Sequence, residues 1–133
     1  MKNQPSDLKE LLANLKDEDY CYLTTTGRVS GHPHEIEIWF GLQNSTLYLL
    51  SGGRDESDWV KNLLKIPAVS LRIKKHLFSG TARLVSDEKE DALARRLLAA
   101  KYERWREGKS LSEWARTALP VAIDMADLKV RVK

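Results

Sequence analysis

Between residues 20 and 50, three short apolar runs follow one another with only turn residues between them. The run 20–26 is aromatic and β-branched and stops at Gly27. The run 35–40 begins after Gly31 and Pro33 and sets Ile36, Ile38 and Phe40 on one face. The run 47–50 follows Gln43, Asn44 and Ser45 and ends in Ser51-Gly52-Gly53. Connections this short exclude parallel neighbours, because a parallel pair needs a crossover of about a dozen residues or more. That order suggests hairpins and an antiparallel barrel rather than a parallel sheet.

The remaining segments fit that beginning. Leu8, Leu11, Leu12 and Leu15 recur at helical spacing after Pro5 and Ser6, predicting a helix over 6–16. From Asp55 the pattern turns helical again, with Trp59, Val60, Leu63 and Leu64 apolar until Pro67 stops it. Segment 68–73 alternates and pairs with 77–85 through a turn around Lys75 and His76. The longest helix is expected over 87–106, with Leu93, Ala94, Leu97, Leu98, Tyr102 and Trp105 on its apolar face. Asp87, Glu88, Glu90 and Asp91 suit its positive N-terminal end. A short helical piece around Leu111, Trp114 and Ala115 follows Gly108, then a strand over 119–124 and another over 128–132. No repeat or low-complexity stretch divides residues 1–133, so the reading is one α+β domain with a six-stranded antiparallel barrel and flanking helices.

Composition narrows the class of function. Of 133 residues, 42% are hydrophobic and 31% charged, a mixture that suits a soluble globular domain rather than a disordered chain. The longest uncharged stretch, 38–53, is 16 residues, short of the roughly 20 that cross a bilayer. With no apolar leader after Met1, a cytoplasmic protein without an integral membrane segment is expected. Cys21 is the lone cysteine, expected in the core at the head of a strand. Arg72, Lys74, Lys75, Arg95, Arg96, Arg104 and Arg106 are interleaved with acids and the net charge is only +3, so no nucleic-acid partner is expected.

Three stretches can carry chemistry. In the first, Gly27, Gly31 and Pro33 stand beside Arg28, His32 and His34. This is either an ordinary glycine hairpin with solvated cations or an anion cradle. In the second, Ser51-Gly52-Gly53 lies between a strand and a helix, as a plain connection or as a bare backbone surface for a planar ring. In the third, Trp59 and Asn62 sit three apart on a helix, able to lean on that turn or to serve as core and loop cap. His32 and His34 with Glu35 or Glu37 would make only part of a metal site; no third histidine is near and no H-E-x-x-H occurs, so no metal is expected. The absence of G-x-S-x-G argues against a hydrolase.

In order and spacing, segments 23–33, the run ending in Trp39 and Phe40, 47–53, 59–69 and 119–123 resemble the deazaflavin (coenzyme F-420)-dependent nitroreductase family. That family lies within the split β-barrel group that also holds pyridoxamine 5'-phosphate oxidase-like FMN proteins. The resemblance covers about residues 20–125 and implies an oxidoreductase passing a hydride to a small, largely apolar acceptor. Coenzyme F-420 is the favoured cofactor and FMN the alternative; a non-catalytic flavin-binding protein is the third reading. Cofactor contacts are implied at Arg28, Trp39, Ser51, Gly52, Gly53, Trp59 and Asn62. The family's loop lysine and final arginine are replaced by Val29 and His34, and its Ser-Lys-Gly-Gly turn reads Ser51-Gly52-Gly53-Arg54. His32, His34, Arg54 and Lys61 are the cations left to compensate. Tyr102, with Trp105 or Trp114, is expected to wall the substrate side, Tyr102 also as a proton donor. Many split-barrel relatives pair around the cofactor, which leaves a homodimer open.

Overall fold

The structure is a computed structural model that describes residues 4–131. Helix α1 (Gln4–Leu15) precedes β1 (Cys21–Thr26), β2 (Pro33–Ile38), β3 (Gly41–Gln43) and β4 (Thr46–Ser51). A 3₁₀ turn (Arg54–Glu56) then leads into α2 (Asp58–Lys65), β5 (Ala68–Ile73), β6 (His76–Leu84), α3 (Glu88–Glu103), α4 (Glu113–Thr117) and β7 (Leu119–Arg131).

All the strands lie in one sheet in the order β2-β1-β5-β6-β7-β4-β3, with every neighbouring pair antiparallel. The outermost strands, β2 and β3, are consecutive in the chain and separated only by Trp39 and Phe40. A flat sheet of seven strands would hold its edges about 29 Å apart, whereas the link from Ile38 to Gly41 spans at most about 11 Å. The sheet has to curl into a half-barrel, and the split falls at Trp39-Phe40.

The inside of the curl is filled by Leu23, Phe40, Leu47, Leu49, Leu71, Ile73, Phe78 and Ile123, all fully buried, with Leu8, Leu12 and Leu15 of α1 packed against them. Strand β4 is buried on both faces. Leu47 and Leu49 point into the barrel, while Tyr48 and Leu50 pack beneath α3 with Ala94, Leu98 and Ala122. This explains why 47–50 reads as a continuous apolar run.

Several expectations are corrected. The sheet has seven strands, because Gly41–Gln43 pairs with β4 across a turn in which Asn44 takes φ 57°. The two C-terminal runs are one strand that continues through Met125 and Ala126. The β5–β6 turn is Lys74-Lys75, with His76 already paired to Ile73. Helix α3 begins with Asp87 as its N-cap, accepting from the Glu90 amide at 2.9 Å, and ends at Glu103. Arg104 there takes a left-handed conformation (φ 59°), so Trp105 lies beyond the helix.

Two arginines fix the helices over the sheet. Arg83 on β6 donates to both carboxylate oxygens of Glu90 on α3 (2.8 Å each) and to Asp124 on β7 (2.7 Å). Arg95 pairs with Asp91 (2.6 Å), and its Nη1 donates to the carbonyls of Ala115, Arg116 and Ala118. Those are orphan acceptors at the end of α4, and a cation there also suits the helix dipole. Ser112 caps the other end by accepting from the Ala115 amide. Together these contacts hold Trp114 where it meets the site.

Candidate cofactor site

Two cavities lie along the edge strand β2. The first, about 670 Å³, is lined by Gly27, Arg28, Ser30, His34, Trp59 and Asn62, among others. Asn62, buried on α2, bolts the 27–34 loop down. Its Oδ1 accepts from the Arg28 amide (3.1 Å) and Nη1 (2.8 Å), and its Nδ2 donates to buried Thr25 (3.2 Å). Within the loop the Gly27 amide donates to the His32 carbonyl and the Gly31 amide to the Gly27 carbonyl. Gly31 adopts φ 77°, and a Cβ at Gly27 would stand 2.6 Å from Ser30 Oγ and 2.7 Å from His34 Nε2. The glycines are thus required by the loop's own closure, and their amides are already engaged. Arg28, Ser30 and His34 are the side chains here that could donate to an anion, and the carboxylates of Glu35 and Asp58 line the same cavity. Arg28 itself pairs with Asp58 (3.2 Å), an acid at the start of α2 whose side chain is 87% exposed.

The second cavity, about 560 Å³, is lined by Tyr20, Glu37, Trp39, Glu103 and Trp114, with Ile38 and Leu50. Trp39 stacks on Tyr102 at 4.3 Å with planes 1° apart, and meets Trp114 at 5.5 Å and 87°. The Tyr102 hydroxyl accepts from the Phe40 amide (3.1 Å) and has the carbonyls of Asp19 (2.9 Å) and Phe40 (3.2 Å) as acceptors. All its partners are backbone atoms, and burial pushes its pKa up to about 12. Lys101 donates to the Phe40 carbonyl (3.0 Å) and lies 3.7 Å from the Phe40 ring centre; burial lowers its pKa to about 8. The split in the barrel is therefore clamped by consecutive residues of α3.

Residues 33–36 of β2 border the first cavity and 37–38 the second. The two cavities therefore follow one another along β2, a strand of six residues and about 20 Å.

In the Ser51-Gly52-Gly53 turn the left-handed conformation is not taken by a glycine. Gly53 has φ −81°, and positive φ falls instead on Arg54 (φ 55°). Ser51 is buried; its hydroxyl bonds to the Arg54 carbonyl (2.8 Å) and to Ser57 Oγ (2.9 Å). Gly52 is exposed beside Trp114, 3.7 Å from where its Cβ would stand. Arg54 Nε donates to the Thr117 carbonyl (3.0 Å), tying the turn to α4.

The fold thus brings Arg28, His34, Trp59 and Asn62 to the first cavity and Trp39 and Trp114 to the second, with Gly52 beside Trp114. Lys61 pairs with Glu56 (3.4 Å), His32 is exposed at the loop, and Trp105 donates to the Lys109 carbonyl; none of these three lines either cavity. The sequence reading missed Asp58, Tyr20 and Glu103, and weighed Glu35 and Glu37, which line the first and second cavity, only as partial metal ligands. Running α3 on to 106 hid Glu103, whose place at the helix end puts it on the second cavity.

A curled antiparallel sheet of this order defines the split-barrel class, and solved structures share the fold. A putative 5-nitroimidazole antibiotic resistance protein from Bacteroides thetaiotaomicron superposes with TM-score 0.69 at 19% identity, over 88% of this chain and 79% of that one. A putative pyridoxamine 5'-phosphate oxidase from Listeria innocua gives 0.68 at 19%, over 92% and 95%. An F420-H2 dependent reductase gives 0.60 at 21%, over 78% and 92%. Residues 6–125 match the F420H(2)-dependent quinone reductase family, and the chain belongs to that family. Comparison with curated proteins gives no match. The family places the chain among flavin- or deazaflavin-dependent oxidoreductases, in line with the resemblance read from the sequence.

Proposed function

We propose that the chain is a reductase that uses the reduced deazaflavin coenzyme F420 to reduce a small organic acceptor of quinone type. The observation that carries this reading is the pairing of a cation-bearing cavity with an aromatic one along a single edge strand, in a chain whose family is F420H(2)-dependent. A cofactor with a flat ring and an anionic tail needs those two ends.

The residues present fit such a group. Arg28 and His34 would hold the anionic tail, Arg28 by exchanging its exposed partner Asp58 for the ligand. Charge-assisted contacts of this kind contribute about 1.5–3 kcal/mol each. Asn62 keeps the loop in register with α2, and Trp59 walls the cavity between them. The ring would lie against the bare backbone of Gly52, with Trp39 and Trp114 beside it. Ser51 and Gly53 keep that turn closed, Arg54 ties it to α4, and Lys61 pairs with Glu56 in the 3₁₀ turn that follows it. When bound, the reduced deazaflavin supplies the hydride; the protein orients the ring and keeps water off it. Tyr102 serves here as a positioning residue, holding Trp39 from behind.

FMN stays in the test because Val29, 93% exposed where the family carries a lysine, adds no charge to the loop. Purified chain is titrated with F420 and with FMN while tryptophan fluorescence is followed, and F420H2 oxidation is then assayed with menadione. F420 is expected to bind at least about ten-fold more tightly than FMN, with turnover on menadione. Tighter FMN binding, or binding of neither, overturns the reading.

A further inference from the structure

A third cavity, of about 430 Å³, shares no lining residue with the two cavities of the cofactor site. Its size is that of a small-molecule site, roughly 300–1,000 Å³. It forms where α3 lies on β3, so closely that a Cβ on Gly41 would stand 2.8 Å from the Leu97 side chain. Leu42, Leu97 and Ala100 supply apolar lining, and Lys101 is the amine among them. Lys16, Asp17 and Asp19, exposed in the segment between α1 and β1, complete the wall.

Lys101 is not held as a surface ammonium is. Its Nζ donates to the Phe40 carbonyl (3.0 Å) and stands 3.7 Å from the centre of the fully buried Phe40 ring. It makes no ion pair among the described residues. Burial brings its pKa down to about 8, although Asp17, Asp19 and Glu18 favour the charged form. Glu18 itself pairs with Lys74 (3.8 Å), and the neighbouring Cys21 and Tyr102 stay protonated near neutral pH, each pushed up to about 12 by burial. At pH 7.5 about a quarter of the Lys101 amine is thus an unprotonated nucleophile, against about one part in a thousand for an ordinary lysine. The surrounding charge decides which electrophile suits it. Acylation would leave a neutral amide, and carbon dioxide an anionic carbamate beside two carboxylates. Condensation with an aldehyde gives a protonated imine, which keeps both the positive charge that Asp17 and Asp19 favour and one N–H for the Phe40 carbonyl.

We propose that this cavity is a carbonyl-compound site in which Lys101 Nζ condenses with uncharged aldehydes of apolar body to form a protonated imine. The site stands apart from the cofactor cavities and rests on no part of the deazaflavin reading. In the reaction the lone pair of the neutral amine forms a C–N bond to the carbonyl carbon. The C–O bond then breaks and the oxygen leaves as water. Counted from the ammonium form, amine and aldehyde give the iminium and one water, with the charge unchanged and nothing oxidised or reduced. Leu42, Leu97 and Ala100 receive the chain of the aldehyde, while Asp17 and Asp19 favour the iminium and disfavour an anionic aldehyde.

The test uses the full chain without cofactor. It is incubated at pH 7.5 with pentanal and cyanoborohydride, which reduces an imine to a stable secondary amine, and labelling of each lysine is followed by peptide mass spectrometry. Lys101 is expected to be labelled at least about ten-fold faster than the median of the other lysines, an advantage that declines as pH rises from about 8 to 10. In the urea-unfolded chain the advantage should vanish, and with glyoxylate, an anionic aldehyde, most of it should be lost. Ala100→Trp adds a ring at an exposed lining position and should slow labelling of Lys101 several-fold, with the other lysines and the far-ultraviolet circular dichroism unchanged. Labelling of Lys101 no faster than that of the other lysines, an advantage that persists in urea, equal preference with glyoxylate, or indifference to Ala100→Trp in a folded variant would overturn the proposal.

Discussion

The indole of Trp39, just past the end of β2, lies flat on the ring of Tyr102 in the last turn of α3, 4.3 Å away and 1° from parallel. The same tyrosine closes the split in the barrel through its hydroxyl, which bonds to the Phe40 backbone. One side chain thus sets both the edge of the sheet and a wall of the second cavity.

Tyr102→Phe keeps the stack and removes those hydrogen bonds. Losing the partner of a half-buried amide should cost about 1–3 kcal/mol in urea denaturation. The near-ultraviolet circular dichroism of Trp39 should be retained and the pH profile of reduction unchanged. A turnover loss of more than about ten-fold at constant KM would move the hydroxyl into the chemistry.

Asn62→Ala severs the link between Thr25, Arg28 and α2. Its buried partners lose their bonds together, so a stability loss of about 1–3 kcal/mol is expected. Affinity for F420 should also weaken at least about ten-fold, as the loop no longer presents Arg28. Calorimetric melting and fluorescence titration measure the two effects; a loss of stability with full affinity would separate the loop from the site.

The two turn glycines should respond differently. A Cβ at Gly53 would stand 2.6 Å from Ser57 Oγ, which already bonds to Ser51, whereas one at Gly52 meets nothing nearer than Trp114 at 3.7 Å. Gly53→Ala is therefore expected to melt several degrees lower, for a cost of about 1 kcal/mol. Gly52→Ala should melt within about a degree of the parent chain while weakening cofactor binding. Normal binding by Gly52→Ala would take the ring away from this turn.

Acid stability should follow Glu90, whose pKa is lowered to about 2 by the Arg83 guanidinium first and the Tyr48 hydroxyl second. A carboxyl depressed in the folded state stabilises fully above its unfolded pKa and loses that contribution as pH falls through the folded value. Glu90→Gln should accordingly cost about 1–2 kcal/mol at pH 7, allowing for the part-exposed Arg83. The difference from the parent should shrink between about pH 4.5 and 2 in denaturant melts.

Lys101 predicts the opposite end of the scale. Burial lowers its folded pKa to about 8 from 10.5. Over that interval the unfolded chain binds more protons, so the lysine's contribution to stability rises with pH. Relative to Lys101→Met, the parent should gain stability between about pH 8 and 10.5, and a flat difference would show the ammonium to be solvated.

Local chemistry made much of the fold readable. Alternation in 68–73 marked the inward faces of Val69, Leu71 and Ile73, and short glycine turns forced the hairpins. Such signals reside within a few neighbouring residues, where the side-chain periods of helix and strand act directly. Gly41–Gln43 carries no comparable signal: three residues become a strand only because β4 lies beside them. The end of α3 was likewise misread, since its apolar stripe continues to Trp105 while the chain turns left-handed at Arg104.

By itself, then, the sequence determined an antiparallel α+β domain, its buried faces, and the glycine loop and aromatic residues from which a cofactor site can be made, because each follows from residue type and spacing. Only the tertiary structure decided that Asp58 engages Arg28, that Trp39 meets both Tyr102 and Trp114, and that Tyr20 and Glu103 line the same cavity. Those residues come from segments far apart in the chain. Their meeting depends on the curl of the sheet and on the arginine contacts that seat α3 and α4 against it, and no local period encodes either.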